Sequence, residues 1–331
     1  MLSKFLHGLF GLFIVFCLIT AENSLAGLPR DNRGAYPNQP LTLIIPWAEK
    51  GGSDQVGRFL AKLLEKELGQ TVVVMNKPSG SGVLGHIAGA TAEPDGYVLT
   101  MITTEIASMH WMGLTEISYK NFQPVALVNS DAAGIMVRAD SPWQTLEELQ
   151  NQIKTRPGRL RASGTGKGGI WDIGRIGWLA ALGLKESALP WMPQNGAAPA
   201  LQQLMAGGVD VVTCSLPEAA VLIRKRKVRP LAVMGEFRER GFPNVPTLKE
   251  KRLNFAMGSF RGVAVPIQTP KSIVATLETV LRRITSSQEF IRMMSRNNYG
   301  ITYKDSKDFQ VFLEEKDQFF GKFLHRMELV K

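Results

Sequence analysis

One junction recurs along this chain: a short apolar run, a corner of glycines and small polar residues, then a helical pattern. It first occurs at "LTLIIPWAEKGGSDQVGRFLAKLLEKELG", residues 41–69, where Val56, Phe59, Leu60, Leu63 and Leu64 share one helical face and Gly69 ends the pattern. It returns at "TVVVMNKPSGSGVLG" (71–85), "LRASGTGKGGIWDIGRIGWLAALG" (160–183) and "ALPWMPQNGAAPALQQLMAGGVDVVTCS" (188–215). Strands of this length alternating with helices predict an α/β fold built from parallel βαβ units. Further strand-like runs lie at 97–104, 124–130, 133–139, 228–235 and 258–266, the second and third read as separate strands. Helical patterns lie at 145–158, capped by Thr145 with Glu148, and at 217–227, 269–287 and 306–327.

The count fits two α/β lobes of similar size. The chain would pass between them near 132–138 and 259–265, giving a first lobe of residues 27–137, a second of 138–258, and a return to the first over 259–331. Ligands of open α/β sheets bind beyond the carboxyl ends of the strands, so two facing lobes make a cleft.

Residues 1–26 read as a secretory leader: Lys4 in the n-region, an apolar stretch from Leu9 to Ile19, and Ser24-Leu25-Ala26 as the small-x-small cleavage site. Phe16 stands before Cys17, where a lipoprotein box needs a small residue. Removing the leader leaves Cys214 alone, so the exported protein has no internal disulfide to rely on. The net charge of +10 suits an anionic partner. Nucleic acid is disfavoured: the densest basic run, "RKRKVR" at 224–229, has no interleaved aromatics.

Two loops satisfy G-x-G-x-x-G, through Gly80, Gly82 and Gly85 and through Gly164, Gly166 and Gly169, and Glu105 lies downstream of the first. Export argues against a dinucleotide, and Lys167 is followed by Gly168 where a phosphate loop needs Ser or Thr. The simpler chemistry is common to all the corners. A helix N-terminus presents unpaired N–H groups and a partial positive charge, glycine lets a ligand approach, and Ser or Thr adds a hydroxyl. "GGSD", "PSGSG", "SGTGKGG" and "QNG" therefore predict a shared anion site. Asp54 is either a helix cap or a partner for a ligand's ammonium or hydroxyl. Lys50 and Lys167 could reach a carboxylate. Trp47 either walls a pocket or packs under the turn, and Arg261 is either a cleft cation or an interlobe ion-pair partner.

Catalysis finds little support. His7, His86, His110 and His325 form no metal-binding pattern, and neither a nucleophile elbow nor S-x-x-K occurs. No metal or cofactor is called for. An enzyme that binds a carboxylate or nucleotide through its glycine loops is the alternative.

The segment "YPNQPLTLIIPWAEKGGSDQVGRFLAKLLEKELGQTVVVMNKPSGSGVLG" resembles the opening of the Bug-type (TctC-like) solute receptors of tripartite tricarboxylate transporters. "PDGYVLT", "ASGTGKGGIWD", "NGAAPALQQLMAGGVDVV" and "FPNVPTLKE" carry the likeness to the C-terminus. The resemblance implies a periplasmic, two-lobed Venus-flytrap fold that captures a small organic anion, di- or tricarboxylate or related acid, and presents it as a monomer to membrane permease subunits. The ligand-facing segments would fall on Trp47, Lys50, Gly51, Gly52, Ser53 and Asp54; on Ser79, Gly80, Ser81 and Gly82; on Thr103 and Thr104; on Ser163, Gly164, Thr165, Gly166 and Lys167; and on Asn195, Gly196 and Ser215. Lys50 stands where that family often has glycine, and Ser79-Gly80-Ser81-Gly82 replaces G-A-G-G. The added cation and hydroxyl suggest a ligand with more than one acidic group.

Overall fold

The apolar run at the first corner forms β1 (Leu41–Ile45), parallel to β2 (Val72–Asn76) on one side and to β3 (Val98–Thr103) on the other. These coordinates are a computed structural model that describes residues 36–330; the leader read at 1–26, with Cys17, lies outside the described residues. Helix α1 (Gly52–Leu68) crosses from β1 to β2 and buries Val56, Leu60, Leu63 and Leu64; Gly69, at φ 67°, closes it in the left-handed conformation. Phe59 is half-buried and meets Phe290 at 6.3 Å between ring centroids. Helix α2 (Val83–Ala90) returns the chain to β3. Its glycines allow a close approach: a Cβ on Gly85 would lie 2.5 Å from Pro46 Cα.

The two strands expected at 124–130 and 133–139 are one, β4 (Phe122–Arg138). It pairs antiparallel with β8 (Gly258–Pro266) as far as Ala132, and from Ala133 with β6 (Val211–Ser215). Its far end also pairs with β7 (Val228–Val233) from Gly134. β4 thus belongs to both halves of the molecule. Short β5 (Ala162–Ser163) lies parallel to β6, completing the order β2-β1-β3-β8-β4-β6-β5 with β7 beside β4. Parallel units hold for β1–β3 and for β5–β6, whereas the ladders of β4 and β8 are antiparallel.

Helices α3 (Leu146–Thr155), α4 (Ile170–Ala181), α5 (Ala197–Met205) and α6 (Leu216–Arg224) cover the second half. The run before α5 forms only a bridge between Trp191 and Ala162, since Pro190 and Pro193 bring no N–H to a ladder. Beyond β8 come α7 (Lys271–Ser286), α8 (Gln288–Arg296) and α9 (Ser306–Arg326). The α8 helix, unforeseen from the pattern, starts where Ser287 accepts the Phe290 N–H at 3.1 Å. The aromatic face of α9 is divided: Phe309 and Leu313 enter one core with Phe122 and Phe260, while Phe320 and Leu324 enter the other with Ile135 and Trp178. The last helix therefore braces both halves. Among the described residues no helix is long and apolar enough to cross a membrane.

Candidate functional site

Three helix N-termini converge on one cavity between the halves, the starts of α1, α4 and α5. None of the three has a side-chain cap of its own; Gly51, Gly169 and Gly196 occupy the cap positions. Their first N–H groups must find partners elsewhere.

Two of them find carboxylates from the facing half. The Gly52 N–H at the start of α1 donates to Glu218 Oε1 at 3.0 Å, and Glu218 is carried by α6. The other oxygen of Glu218 accepts the Ser215 N–H and hydroxyl, each at 3.1 Å. In the reverse sense, the Ile170 N–H at the start of α4 donates to Glu105 Oε1 at 2.9 Å, with Glu105 standing just beyond β3. Trp47 Nε1 donates to Thr103 Oγ1 at 3.1 Å, and that hydroxyl donates to Glu105 Oε2 at 2.6 Å. Each half therefore lends a glutamate to a helix of the other. Burial pushes both carboxyls above the ordinary range, and the N–H donors and Arg261 pull them partly back.

The third N-terminus is held differently. At the start of α5, Gly196 has φ 131°, a conformation open to glycine; Ala197 and Ala198 bring N–H groups to the cavity with no carboxylate on them among the described residues, and Pro199 beside them brings none. Two hydroxyls in the cavity wall, Thr165 Oγ1 and Ser259 Oγ, are buried with no hydrogen-bond partner among the described residues. They come from opposite halves, and a buried hydroxyl without a partner is costly unless a ligand or water meets it. The space is narrow, about 20 Å³ for the centre of a water-sized sphere, enough for one or two waters.

Arg261, on β8, is the cationic member of the wall. Its Nε donates to Ser53 Oγ at 3.1 Å, its Nη1 to Asp131 Oδ2 at 2.7 Å, and its Nη2 lies 3.6 Å from Glu218 Oε1. Both alternatives for this residue therefore hold, since it faces the cleft and bridges the halves.

The glycine corners expected to form one site divide into two places. Trp47, Gly51, Gly52, Ser53, Thr103, Thr165 and Gly196 line the cavity. Gly80, Ser81, Gly166, Lys167 and Asn195 line a separate open pocket, where the two G-x-G-x-x-G loops pack on each other. Ser81 Oγ donates to the Lys167 carbonyl at 2.8 Å, and a Cβ on Gly166 would sit 3.1 Å from Ser81 N, so the loops close against one another. Asp54 staples its corner, accepting the Lys50 N–H at 2.8 Å, Arg58 Nε at 2.8 Å and Asn76 Nδ2 at 2.9 Å. Ser163 donates to the Met192 carbonyl at 2.6 Å, and Thr104 accepts the Phe260 N–H at 2.8 Å. Gly82 lies under Trp47, Gly164 is packed against Trp171 and Trp191, and Ser215 is buried beneath Glu218. The side chains of Lys50, Ser79, Lys167 and Asn195 are exposed.

The model of the tripartite tricarboxylate transporter family receptor, TctC, matches residues 56–329. The chain belongs to this receptor family. The family is one of solute-binding receptors, not of enzymes. A solved TctC solute-binding protein from Polaromonas, without ligand, is 34% identical, with 88% of this chain and 99% of that one covered at a TM-score of 0.65. The periplasmic binding protein BugD is 26% identical, with 89% and 100% covered, and has a TM-score of 0.85. MatC from Rhodopseudomonas palustris, solved with bound malate, shares the fold at a TM-score of 0.82, 23% identity and coverage of 87% and 100%. The mixed α/β architecture of this TctC receptor is that of the two-lobed periplasmic binding proteins.

Sequence reasoning passed over several residues of this TctC cavity. Glu218 was hidden in the "SLPE" start of α6, where Ser and Glu three apart read as a local capping box. Glu105 was weighed only as a dinucleotide residue, and Asp131 and Ser259 carried no motif. His86 was set aside with the metal ligands. Its Nδ1 donates to the Gly82 carbonyl at 2.7 Å and its Nε2 accepts the Thr103 N–H at 3.2 Å, tying the second glycine corner to the end of β3. Burial lowers its pKa to about 4.

Proposed function

We propose that this chain is an extracytoplasmic receptor that captures a small organic carboxylate in the cavity and presents it, as a monomer, to the permease subunits of a tripartite tricarboxylate-type transporter. The observation that carries this reading is the start of α5, an N-terminus with no capping side chain, beside the unpartnered hydroxyls of Thr165 and Ser259. Unpaired N–H groups and a positive dipole end favour a carboxylate there. The protein's own glutamates on α1 and α4 are instances of the same chemistry. The leader at 1–26 supports export to the periplasm, and the malate held by MatC supports an organic acid as ligand.

The halves that meet in β4 between Ala132 and Ala133 act as the lobes. A ligand that touches Ser259 on one side and Thr165 with α5 on the other binds the closed arrangement better than the open one, and so shifts the population towards it. Charge-assisted hydrogen bonds contribute about 1.5–3 kcal/mol each, so a few of them, less ordering costs, reach the roughly −8 kcal/mol of micromolar binding. The lower TM-score against the ligand-free relative, despite its higher identity, supports lobes that move relative to each other.

The test is thermal shift and calorimetry of the purified protein against mono-, di- and tricarboxylates. Binding of one class, weakened at least tenfold in Thr165→Ala and Ser259→Ala, supports the reading. Failure of every carboxylate to bind, or chemical conversion of a bound compound, overturns it.

A further inference from the structure

Resting on the carboxylate-receptor reading, we infer that Glu105 and Glu218 are specificity-determining residues that select a small zwitterion, one carboxylate and one ammonium group, and exclude acids with two or more carboxylates. Both glutamates line the cavity, and each already occupies a helix N-terminus that a second ligand carboxylate would need. One such terminus, that of α5, is left for the ligand.

The balance of charge around the cavity points the same way. Arg261 is the cation in the wall, and its charge is matched by Asp131 at 2.7 Å and by Glu218 at 3.6 Å. Its Nη1 also donates to Asn129 Oδ1 and its Nε to Ser53 Oγ at 3.1 Å, while Nη2 stands at ion-pair distance, 3.6 Å, from Glu218 Oε1. Glu105 is held by donors, the Ile170 N–H and the Thr103 hydroxyl, and by no ion pair among the described residues. A second ligand carboxylate would face two buried carboxyl groups whose donors are already engaged and would disfavour their ionised forms further, whereas an ammonium group favours those ionised forms.

The lining limits how far the groups can be kept apart. The space admits only one or two waters in this arrangement, so a three- to five-carbon ligand needs the halves further apart, yet Glu105, Glu218 and the start of α5 all border that one cavity. The unpartnered hydroxyls of Thr165 and Ser259 fit either oxygen of a carboxylate or an N–H of an amine. The exposed side chain of Lys50 lies outside the cavity wall, so the extra cation that suggested a polyacid does not enter the charge balance of the site.

The experiment is calorimetry of the purified protein at pH 7.5 with ligands matched in carbon number: succinate, butyrate and 4-aminobutyrate, then the three- and five-carbon sets. The expected order is zwitterion tightest, monocarboxylate next and dicarboxylate weakest, with at least a tenfold gap between first and last. Glu105→Gln and Glu218→Gln, isosteric changes checked for folding by their thermal melts, are each expected to narrow that gap at least fivefold. A dicarboxylate that binds wild type as well as the zwitterion overturns the inference and leaves the carboxylate-receptor reading standing. So does a selectivity unchanged in both variants, which would make the glutamates structural caps only. If no acid of any class binds, both readings fall.

Discussion

Arg261 Nη1 donates to Asp131 Oδ2 at 2.7 Å, and both side chains are 2% exposed. Asp131 stands at the point where β4 exchanges β8 for β6, and its other oxygen accepts the Gly300 N–H at 2.8 Å. The pair thus fixes the passage of the chain between the halves to the loop before α9. Removing one partner of a buried pair leaves an uncompensated charge and costs about 3–5 kcal/mol. Arg261→Met is expected to lose about that much in urea unfolding, because both Asp131 and Glu218 are stranded. Arg261→Lys should fall between, since an ammonium restores charge without the fork.

The loop-to-loop bond from Ser81 Oγ to the Lys167 carbonyl joins residues from opposite halves. It exists only when the halves are together. Ser81→Ala is expected to weaken ligand binding by about fivefold, equivalent to roughly 1 kcal/mol for one hydrogen bond. Gly166→Ala is expected to act more strongly, because its Cβ would press on Ser81 N at 3.1 Å, with Ser81 Oγ nearer still. Calorimetry against any bound acid, beside thermal melts of the ligand-free variants, separates an effect on closure from one on folding.

His86 makes stability depend on pH in a defined direction. Its pKa in the fold is about 4, against an ordinary 6.5, because burial disfavours the imidazolium. The unfolded chain therefore takes up the proton first as pH falls. The contribution of His86 is complete above pH 6.5 and is lost between 6.5 and about 4, at up to ~1.4 kcal/mol per pH unit. Urea midpoints measured at pH 7 and pH 4.5 should differ less in His86→Gln than in wild type. An equal difference in the two proteins would refute the assignment.

Glu239 acts with the opposite sign. Burial, and then the charge of Asp131, raise its pKa to about 8 from 4.5. Its neutral form suits the fold, so its contribution is complete below 4.5 and is lost as pH rises through about 8. Glu239→Gln is expected to leave the melting temperature nearly unchanged at pH 4.5 and to raise it at pH 9, by a few degrees for each kcal/mol recovered. A melting temperature that does not rise at pH 9 counts against this environment.

How much of the site was legible differs from residue to residue, and the reason is distance along the chain. Gly51, Gly52 and Gly196, which line the cavity, were legible because a glycine before a helical pattern is a local signal. Thr165 was legible with its loop. Asp54 was legible as a helix cap or a ligand partner but not as the acceptor of its own loop's Lys50 N–H, since the path of the corner decides that. Glu218 and Gly52 are 166 positions apart and Glu105 and Ile170 are 65 apart, and no spacing rule connects them. The merging of two expected strands into β4 was hidden for a related reason. Asp131 and Ala132 fell between the two expected strands, yet that gap is where one strand changes neighbours.

By itself the sequence determined the alternation of strands and helices, the glycine starts of those helices and the family to which the chain belongs. These follow from short-range chemistry: apolar periodicity, the conformational freedom of glycine and the orphaned N–H groups of a first turn. Only the tertiary structure decided what each of those first turns faces. Two face glutamates from the opposite half, and one faces a narrow cavity lined by the Thr165 and Ser259 hydroxyls. A helix N-terminus attracts any carboxylate alike, so whether its partner is a ligand or the protein itself depends on which side chains the fold brings within about 3 Å.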